Sequence, residues 1–198
     1  MGVVENVKPA RERILDAAAA VMHDQGLANA TTKAIAARAG YSEAMLYKHF
    51  VDKQELFLLV LKERMPSLRP RLAAAGTGQL AANLQGVVAQ LMDYFADLFP
   101  MSVSIFSAPD LLAQHREGVA RHGGIGPTAP IRLLAGYLDE ERVAGRIRHD
   151  ADTNAAASLL VGMAFHQGFL AAFEGKSTVV GAENLAASAV AIVLPGLL

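Results

Sequence analysis

Cysteine and tryptophan are both missing from this 198-residue chain. Without cysteine there is no disulfide, no thiolate zinc site and no cysteine nucleophile. Aromatic residues make up 6% and charged residues 19%, against 53% apolar. So much apolar matter excludes a disordered chain. Apolar and polar positions seldom alternate, which disfavours strands, while the many alanines and leucines favour helices. His23, His49, His115, His122, His149 and His166 form no i, i+4 pair and no His-Glu-x-x-His. His115 and His122 stand two helical turns apart, too far along an axis to share a metal. Asp139, Glu140 and Glu141 are adjacent, so they fan around a helix as a solvated face. No G-x-S-x-G, P-loop or dinucleotide fingerprint occurs. These residues lead us to expect no catalytic site, no metal and no cofactor.

The opening MGVVENVKPARE lacks the basic-then-apolar plan of a signal peptide and reads as a disordered arm on a cytoplasmic protein. Two late stretches, 155–173 and 179–198, are almost free of charge. Both are rich in small residues, and they carry Ser158, His166 and Gln167 or Asn184, Ser188 and Pro195. They read as helices with two buried faces rather than as membrane spans. The formal charge of −1 hides a skew. Residues 1–75 hold eleven Lys/Arg against eight Asp/Glu, and residues 76–198 seven against eleven. A mildly basic front and an acidic back suit one end facing phosphate.

Start and stop signals divide the chain into about nine helices. Pro9 and Gly26 bracket the first, whose inward stripe is Ile14, Ala18, Val21 and Met22. Thr31 or Thr32 can cap a second helix that ends near Ala39, and Ser42 can cap a third over 43–50. Asp52-Lys53-Gln54-Glu55 has the form of a capping box and opens a long fourth helix. Pro66 and Pro70 should kink it, and Gly76-Thr77-Gly78 should end it. A fifth helix is expected over 79–99, stopped by Pro100, then a short one over 101–107 and another segment over 109–118. The glycine- and proline-rich stretch 118–130 reads as a loop. A helix over 130–145, one capped by Asp150 or Asp152 and running to about Gly175, and one over 181–194 complete the chain.

The most informative stretch is Thr31 to Phe50, TTKAIAARAGYSEAMLYKHF. Two short helices flank Gly40, a residue that takes the positive φ of a sharp turn without strain. Ala36 is small enough for two helices to cross closely, and Leu46 can anchor the second against the first. This is the plan of a helix-turn-helix unit, which places its second helix in the DNA major groove. With Leu46 and Phe50 inward and Met45 helping, the outward set is Ser42, Glu43, Ala44, Tyr47, Lys48 and His49. Ala44 permits close approach to base edges. Tyr47, Lys48 and His49 can donate to phosphates or base acceptors. Thr32 and Lys33 stand at the amino end of the second helix and Lys53 at that of the fourth, where helix N–H groups suit phosphate.

From about Arg11 to Leu56 the chain resembles the DNA-binding domain of TetR-family transcriptional regulators. Beyond that the likeness is one of helical architecture, with two apolar helices last. The resemblance implies an all-α fold: an N-terminal arm and helix-turn-helix domain over 1–55, then a helical regulatory and dimerisation domain over 56–198, linked by the long fourth helix. It also implies that Thr32, Ser42, Ala44, Tyr47, Lys48, His49 and Lys53 contact operator DNA, mostly its backbone. Glu43 departs from the family pattern, where that position is often basic or small. A carboxylate there weakens nonspecific binding unless it accepts from a cytosine amino group.

One helix-turn-helix touches too little DNA to choose a site well, whereas two related by a twofold axis read a palindrome in successive grooves. The two last helices are apolar enough to need a second burial partner, which would be the twin subunit. Leu159, Met163, Leu170, Leu185, Ala189 and Ile192 are the candidate interface. The resemblance further implies a small hydrophobic ligand whose binding moves the DNA heads apart. For it the chain offers Phe95, Phe99, Met101, Phe106, Tyr137, Phe165, His166 and Phe169, side chains that serve equally well as ordinary core. The expected function is therefore a ligand-responsive DNA-binding regulator, a repressor acting as a homodimer on a palindromic operator, with no membrane partner. The alternative is a helical small-molecule-binding or interaction protein that does not bind DNA.

Overall fold

The computed structural model describes residues 8–63, 79–121 and 126–198. Among them every regular element is helical: α1 (Ala10–Gln25), α2 (Thr32–Ala39), α3 (Glu43–His49), α4 (Lys53–Glu63), α5 (Leu80–Phe106), α6 (Pro109–Arg121), α7 (Ala129–Val143), α8 (Thr153–Phe173) and α9 (Ala182–Val193), closed by a 3-10 turn, Leu194–Gly196. The all-α class expected from the sequence is the one observed. The arm before Lys8, the kinks at Pro66 and Pro70 and the stop at Gly76-Thr77-Gly78 lie outside the described residues.

Two expectations for the middle of the chain are corrected. Pro100 does not stop a helix: it lies inside α5, which continues to Phe106 and absorbs the expected short helix. A proline removes one intrahelical hydrogen bond and costs about 3 kcal/mol. Here Phe95 and Ala96 before it and Met101 and Ile105 after it are all buried, and burial on both sides outweighs the local cost. Gly118 likewise does not end a segment. It is buried beside the Gln54 side chain, and α6 runs on to Arg121.

The helices gather into two compact units. The first holds α1 to α4, the end of α5 from Met101, and α6; the second holds α5 as far as Pro100, α7, α8, α9 and the 3-10 turn. In the first, α1 packs on α2 and α4, and α4 on α6. Its core joins Ile14, Leu15, Ala18, Val21 and Met22 of α1 to Ile35 and Ala36 of α2, Leu46 of α3, and Leu56, Phe57 and Val60 of α4. Arg11 forks onto Glu63 with bonds of 3.0 and 2.8 Å, fastening the start of α1 to the end of α4.

In the second unit Val88, Leu91, Met92 and Phe95 of α5 meet Leu134 and Leu138 of α7, Leu160 and Ala164 of α8, and Val190 of α9. Asp152, one of the two expected caps, accepts the Ala155 N–H at 2.8 Å and starts α8. Asp93 accepts the Val179 N–H at 2.8 Å and ties the α8–α9 connection to α5. Glu141, expected on a solvated face with Asp139 and Glu140, is instead buried, and its charge is met by Arg146. By length and composition α8 could cross a membrane. Its Ala157, Leu160 and Ala164 are instead built into this cluster.

The crossing of α8 on α5 is close because Gly168 has no side chain. A Cβ there would stand 2.5 Å from the Phe95 Cβ, 2.8 Å from the Ala96 nitrogen and 2.9 Å from the Met92 oxygen. Two of these atoms are backbone and cannot rotate away. Gly168→Ala should therefore cost about 1–3 kcal/mol of stability despite alanine's better helix propensity. Thermal or denaturant unfolding measures this, and an unchanged midpoint would refute the close crossing.

Candidate nucleic-acid interface

The turn between α2 and α3 is built by local chemistry. Thr31, not Thr32, caps α2 by accepting the Ala34 N–H at 3.1 Å. Gly40 ends the helix at φ 75°, ψ 33°, in the left-handed region. The Tyr41 N–H reaches back to the Ala36 oxygen at 2.9 Å and the Gly40 N–H to the Ala37 oxygen at 3.2 Å. That pair of bonds is a Schellman motif, and it satisfies carbonyls the helix end would leave open. Arg13 of α1 locks the turn from outside. It donates to the Ala39 oxygen at 3.0 Å and to the Tyr41 hydroxyl at 3.2 Å, with its guanidinium 4.9 Å from the Tyr41 ring centre. Arg13 and Tyr41 escaped the sequence reading because their pairing joins residues 28 apart.

Leu46 is 1% exposed and Phe50 is buried, so α3 is seated by the two side chains expected to point inward. Ser42, Glu43, Ala44, Tyr47, Lys48 and His49 are all exposed, Tyr47 to 55%. The segment thus presents six neighbouring side chains with one donor-rich edge. Ser42 holds the cap position, but its hydroxyl makes no capping bond. The expectation that it caps α3 is corrected: the first-turn bond there runs from the Met45 N–H to the Ser42 carbonyl. Glu43 accepts the Thr32 hydroxyl at 2.7 Å, joining the first residues of α2 and α3.

Lys33 is exposed on α2. At the start of α4 the capping box takes a modified form, with Glu55 bonding the residue before the cap rather than the cap itself. Asp52 accepts the Glu55 N–H at 2.7 Å, and Glu55 reaches back to the Val51 N–H at 2.5 Å. Asp52 also takes Arg121 of α6 at 3.3 Å. Lys53 is half-buried with its ammonium 5.0 Å from the Phe57 ring centre, and burial lowers its pKa below the ordinary 10.5.

The residues considered for a ligand fall into separate groups. Phe95, Phe99, Phe165 and Phe169 come together in the second unit, with ring centres 5.3 Å (95–165), 4.8 Å (99–165) and 5.4 Å (99–169) apart. Tyr137 is buried in the same core, where its hydroxyl accepts from Asn83 at 3.1 Å and burial pushes its pKa up. His166 is exposed on α8. Met101 and Phe106 belong to the first unit, the former buried and the latter exposed. Among the described residues no cluster of His, Asp or Glu suits a metal.

The residues considered for a dimer also divide. Leu159 and Leu170 of α8 and Leu185 and Ile192 of α9 are exposed. Met163 and Ala189 are half-buried and pack on the core cluster. The exposed set on α8 continues through Gly162, Phe165, His166, Phe169 and Phe173, a stripe at helical period. On α9 it continues through Ser188 and Ala191. Phe173, 82% exposed, was absent from the expected interface although its spacing from Phe169 and Leu170 would have placed it there.

Residues 14–60 match a family model described as bacterial regulatory proteins, tetR family. Over 135 residues the chain is 28% identical to YvkB of Bacillus subtilis, an uncharacterized HTH-type transcriptional regulator, covering 67% of each protein. Its fold is similar to that of a regulator of Mesorhizobium loti assigned to the TetR family, with a TM-score of 0.70 at 23% identity over 94% of this chain and 95% of the other. It is also similar to the transcriptional regulator FadR of Bacillus subtilis, solved in complex with stearoyl-CoA, with a TM-score of 0.60 at 17% identity over 94% and 99%. At these identities the structural likeness is one of fold.

Proposed function

We propose that this chain, whose residues 14–60 match the tetR-family model, is a DNA-binding transcriptional regulator of that family, a ligand-responsive repressor that holds a palindromic operator as a homodimer. The observation that carries the DNA half is the exposed polar face of α3, held by buried Leu46 and Phe50. By role we assign DNA reading to residues 1–55 and regulation and dimerisation to 56–198, although Leu56, Phe57 and Val60 of α4 are packed in the first unit. Ala44 lets α3 sit near base edges, while Tyr47, Lys48 and His49 donate to phosphates or bases. Lys33 and Lys53, beside the amino ends of α2 and α4, meet the flanking phosphates, as do Ser42 and the backbone N–H groups at the start of α2. Glu43 faces the groove from the first position of α3. Occupancy alone blocks a promoter, which makes repression the simplest outcome, in the cytoplasm where the DNA is.

The apolar face of α8 and α9 is the dimer surface. Phe173 and Ile192 are each more than 80% exposed, and Leu159, Leu170 and Leu185 lie on the same two helices. Large apolar side chains in continuous exposure mark an interaction site, and a second copy offers the same stripe about a twofold axis. The aromatic group Phe95, Phe99, Phe165 and Phe169 supplies a wall for an apolar ligand, released or bound as the two DNA-reading heads change spacing. FadR of Bacillus subtilis, with its stearoyl-CoA, makes a long-chain acyl group the first chemistry to try.

Three measurements test this reading. A dimer making six to ten phosphate contacts should lose about 10³- to 10⁵-fold in affinity between 50 and 200 mM salt, and Tyr47→Ala should weaken binding with no change in melting temperature. Equal affinity of the variant and the original for a selected operator would remove Tyr47 from the interface. Ile192→Asp should convert the dimer to monomer in analytical ultracentrifugation and weaken operator binding; a variant that stays dimeric places the interface elsewhere. An acyl-CoA series titrated onto the operator complex should lower its affinity about 5- to 150-fold. A complex indifferent to every member of the series refutes the acyl-group assignment.

A further inference from the structure

Glu43 is the one carboxylate on the exposed face of α3, and it has a hydrogen-bond partner there. Among the described residues its polar partner is the Thr32 hydroxyl, 2.7 Å from one carboxylate oxygen. A hydroxyl carries a single proton. While Thr32 gives it to Glu43, that side chain has only lone pairs to show a phosphate, and lone pairs repel one. Its chemistry here is to hold the carboxylate, not to hold the backbone of a duplex. The next residue, Ala44, is exposed and adds no bulk that would keep a base edge away.

We propose that Thr32 and Glu43 form a base-reading pair, in which Thr32 positions the carboxylate and Glu43 accepts a hydrogen bond from the exocyclic amine of a cytosine in each half-site. The inference rests on the reading that α3 enters the major groove. Among the four base edges presented there, guanine offers two acceptors and thymine an acceptor and a methyl group. A carboxylate facing any of these loses water and gains nothing. Adenine offers an amine, but its N7 lone pair sits alongside and repels the second carboxylate oxygen. Cytosine offers the amine with only a C–H beside it. The carboxylate thus selects one base by attraction and rejects guanine by repulsion, which is how discrimination is best obtained. It also repels phosphates, lowering affinity for every sequence alike.

The test is selection of duplexes from a randomised pool by the full-length protein, repeated with Glu43→Ala, Glu43→Gln and Thr32→Val. The original protein should favour cytosine over guanine at one position per half-site by about 5- to 150-fold. Glu43→Ala should bring all four bases at that position within about twofold while the remaining positions keep their preferences. Glu43→Gln should move the preference toward adenine, whose donor and acceptor match an amide. Thr32→Val should relax the same position and no other. An unchanged preference in Glu43→Ala, with affinity raised equally for all sequences, overturns the proposal and leaves the carboxylate a mere repeller. A Thr32→Val variant that loses affinity evenly, with a shallower salt dependence, makes Thr32 a phosphate donor and also overturns it. If the original protein selects no duplex at low salt, it is the DNA reading of α3 that fails.

Discussion

The angle between α2 and α3 depends on one residue in the left-handed region. Gly40 takes φ 75° there, a conformation that costs other residues about 1–2 kcal/mol. The turn then closes on itself through the Tyr41-to-Ala36 bond and is clasped from α1 by Arg13. Everything on the reading side of the first unit follows from that angle. It turns Leu46 and Phe50 into the core, and by doing so turns Tyr47, Lys48 and His49 out. It also brings the first residue of α3 against the first residue of α2, which is why Glu43 and Thr32 meet. A helix as short as α3 has little stability of its own, so its face is only as well defined as the turn and the two anchors that hold it.

In the second unit the sizes of side chains on α8 are inverted relative to an ordinary surface helix. Apart from Thr153, Leu160 and Val161, the inward positions hold only the small residues Ala156, Ala157, Ala164, Gly168 and Ala171, while Leu159, Phe165, Phe169 and Phe173 are exposed. Small inward residues let α8 lie close on α5, with Gly168 at the tightest point. Large outward residues are unfavourable in water and become favourable only when covered. The two halves of this arrangement support different things. The inward half is satisfied within one chain, and the outward half is what the proposed twin would satisfy.

Features governed by neighbours in the sequence were legible in it. The Asp52–Glu55 capping box, the Asp152 cap, the Gly40 turn and the inward stripe of α1 each depend on residues within about one or two helical turns. What was not legible depends on distant partners. Pro100 looks like a stop because the rule for proline is local, and the burial that overrides it comes from elsewhere in the fold. Ser42 looks like a cap by type and position, yet its hydroxyl does not make the bond. Phe95, Phe99, Phe165 and Phe169 converge although two helices supply them, whereas Met101 and Phe106, equally apolar and close in sequence to Phe99, fall in the other unit. Composition says that such residues will be packed, but only the fold says with which others.

The charge of the chain bears on how such a regulator discriminates. A formal charge of −1 gives no general attraction to DNA, which is left to the mildly basic residues 1–75. The candidate interface has few cations, Lys33, Lys48 and Lys53 among them, and one of these is half-buried on Phe57. Nonspecific affinity comes almost wholly from counterion release by such cations, and the genome supplies a vast excess of nonspecific sites. A reader with a modest basic surface therefore loses absolute affinity but spends less of its time on irrelevant DNA. Glu43 pushes in the same direction. On this view the departure of Glu43 from a basic or small residue is consistent with the rest of the chain: the protein relies on fitted contacts made twice, once by each proposed subunit, rather than on bulk attraction.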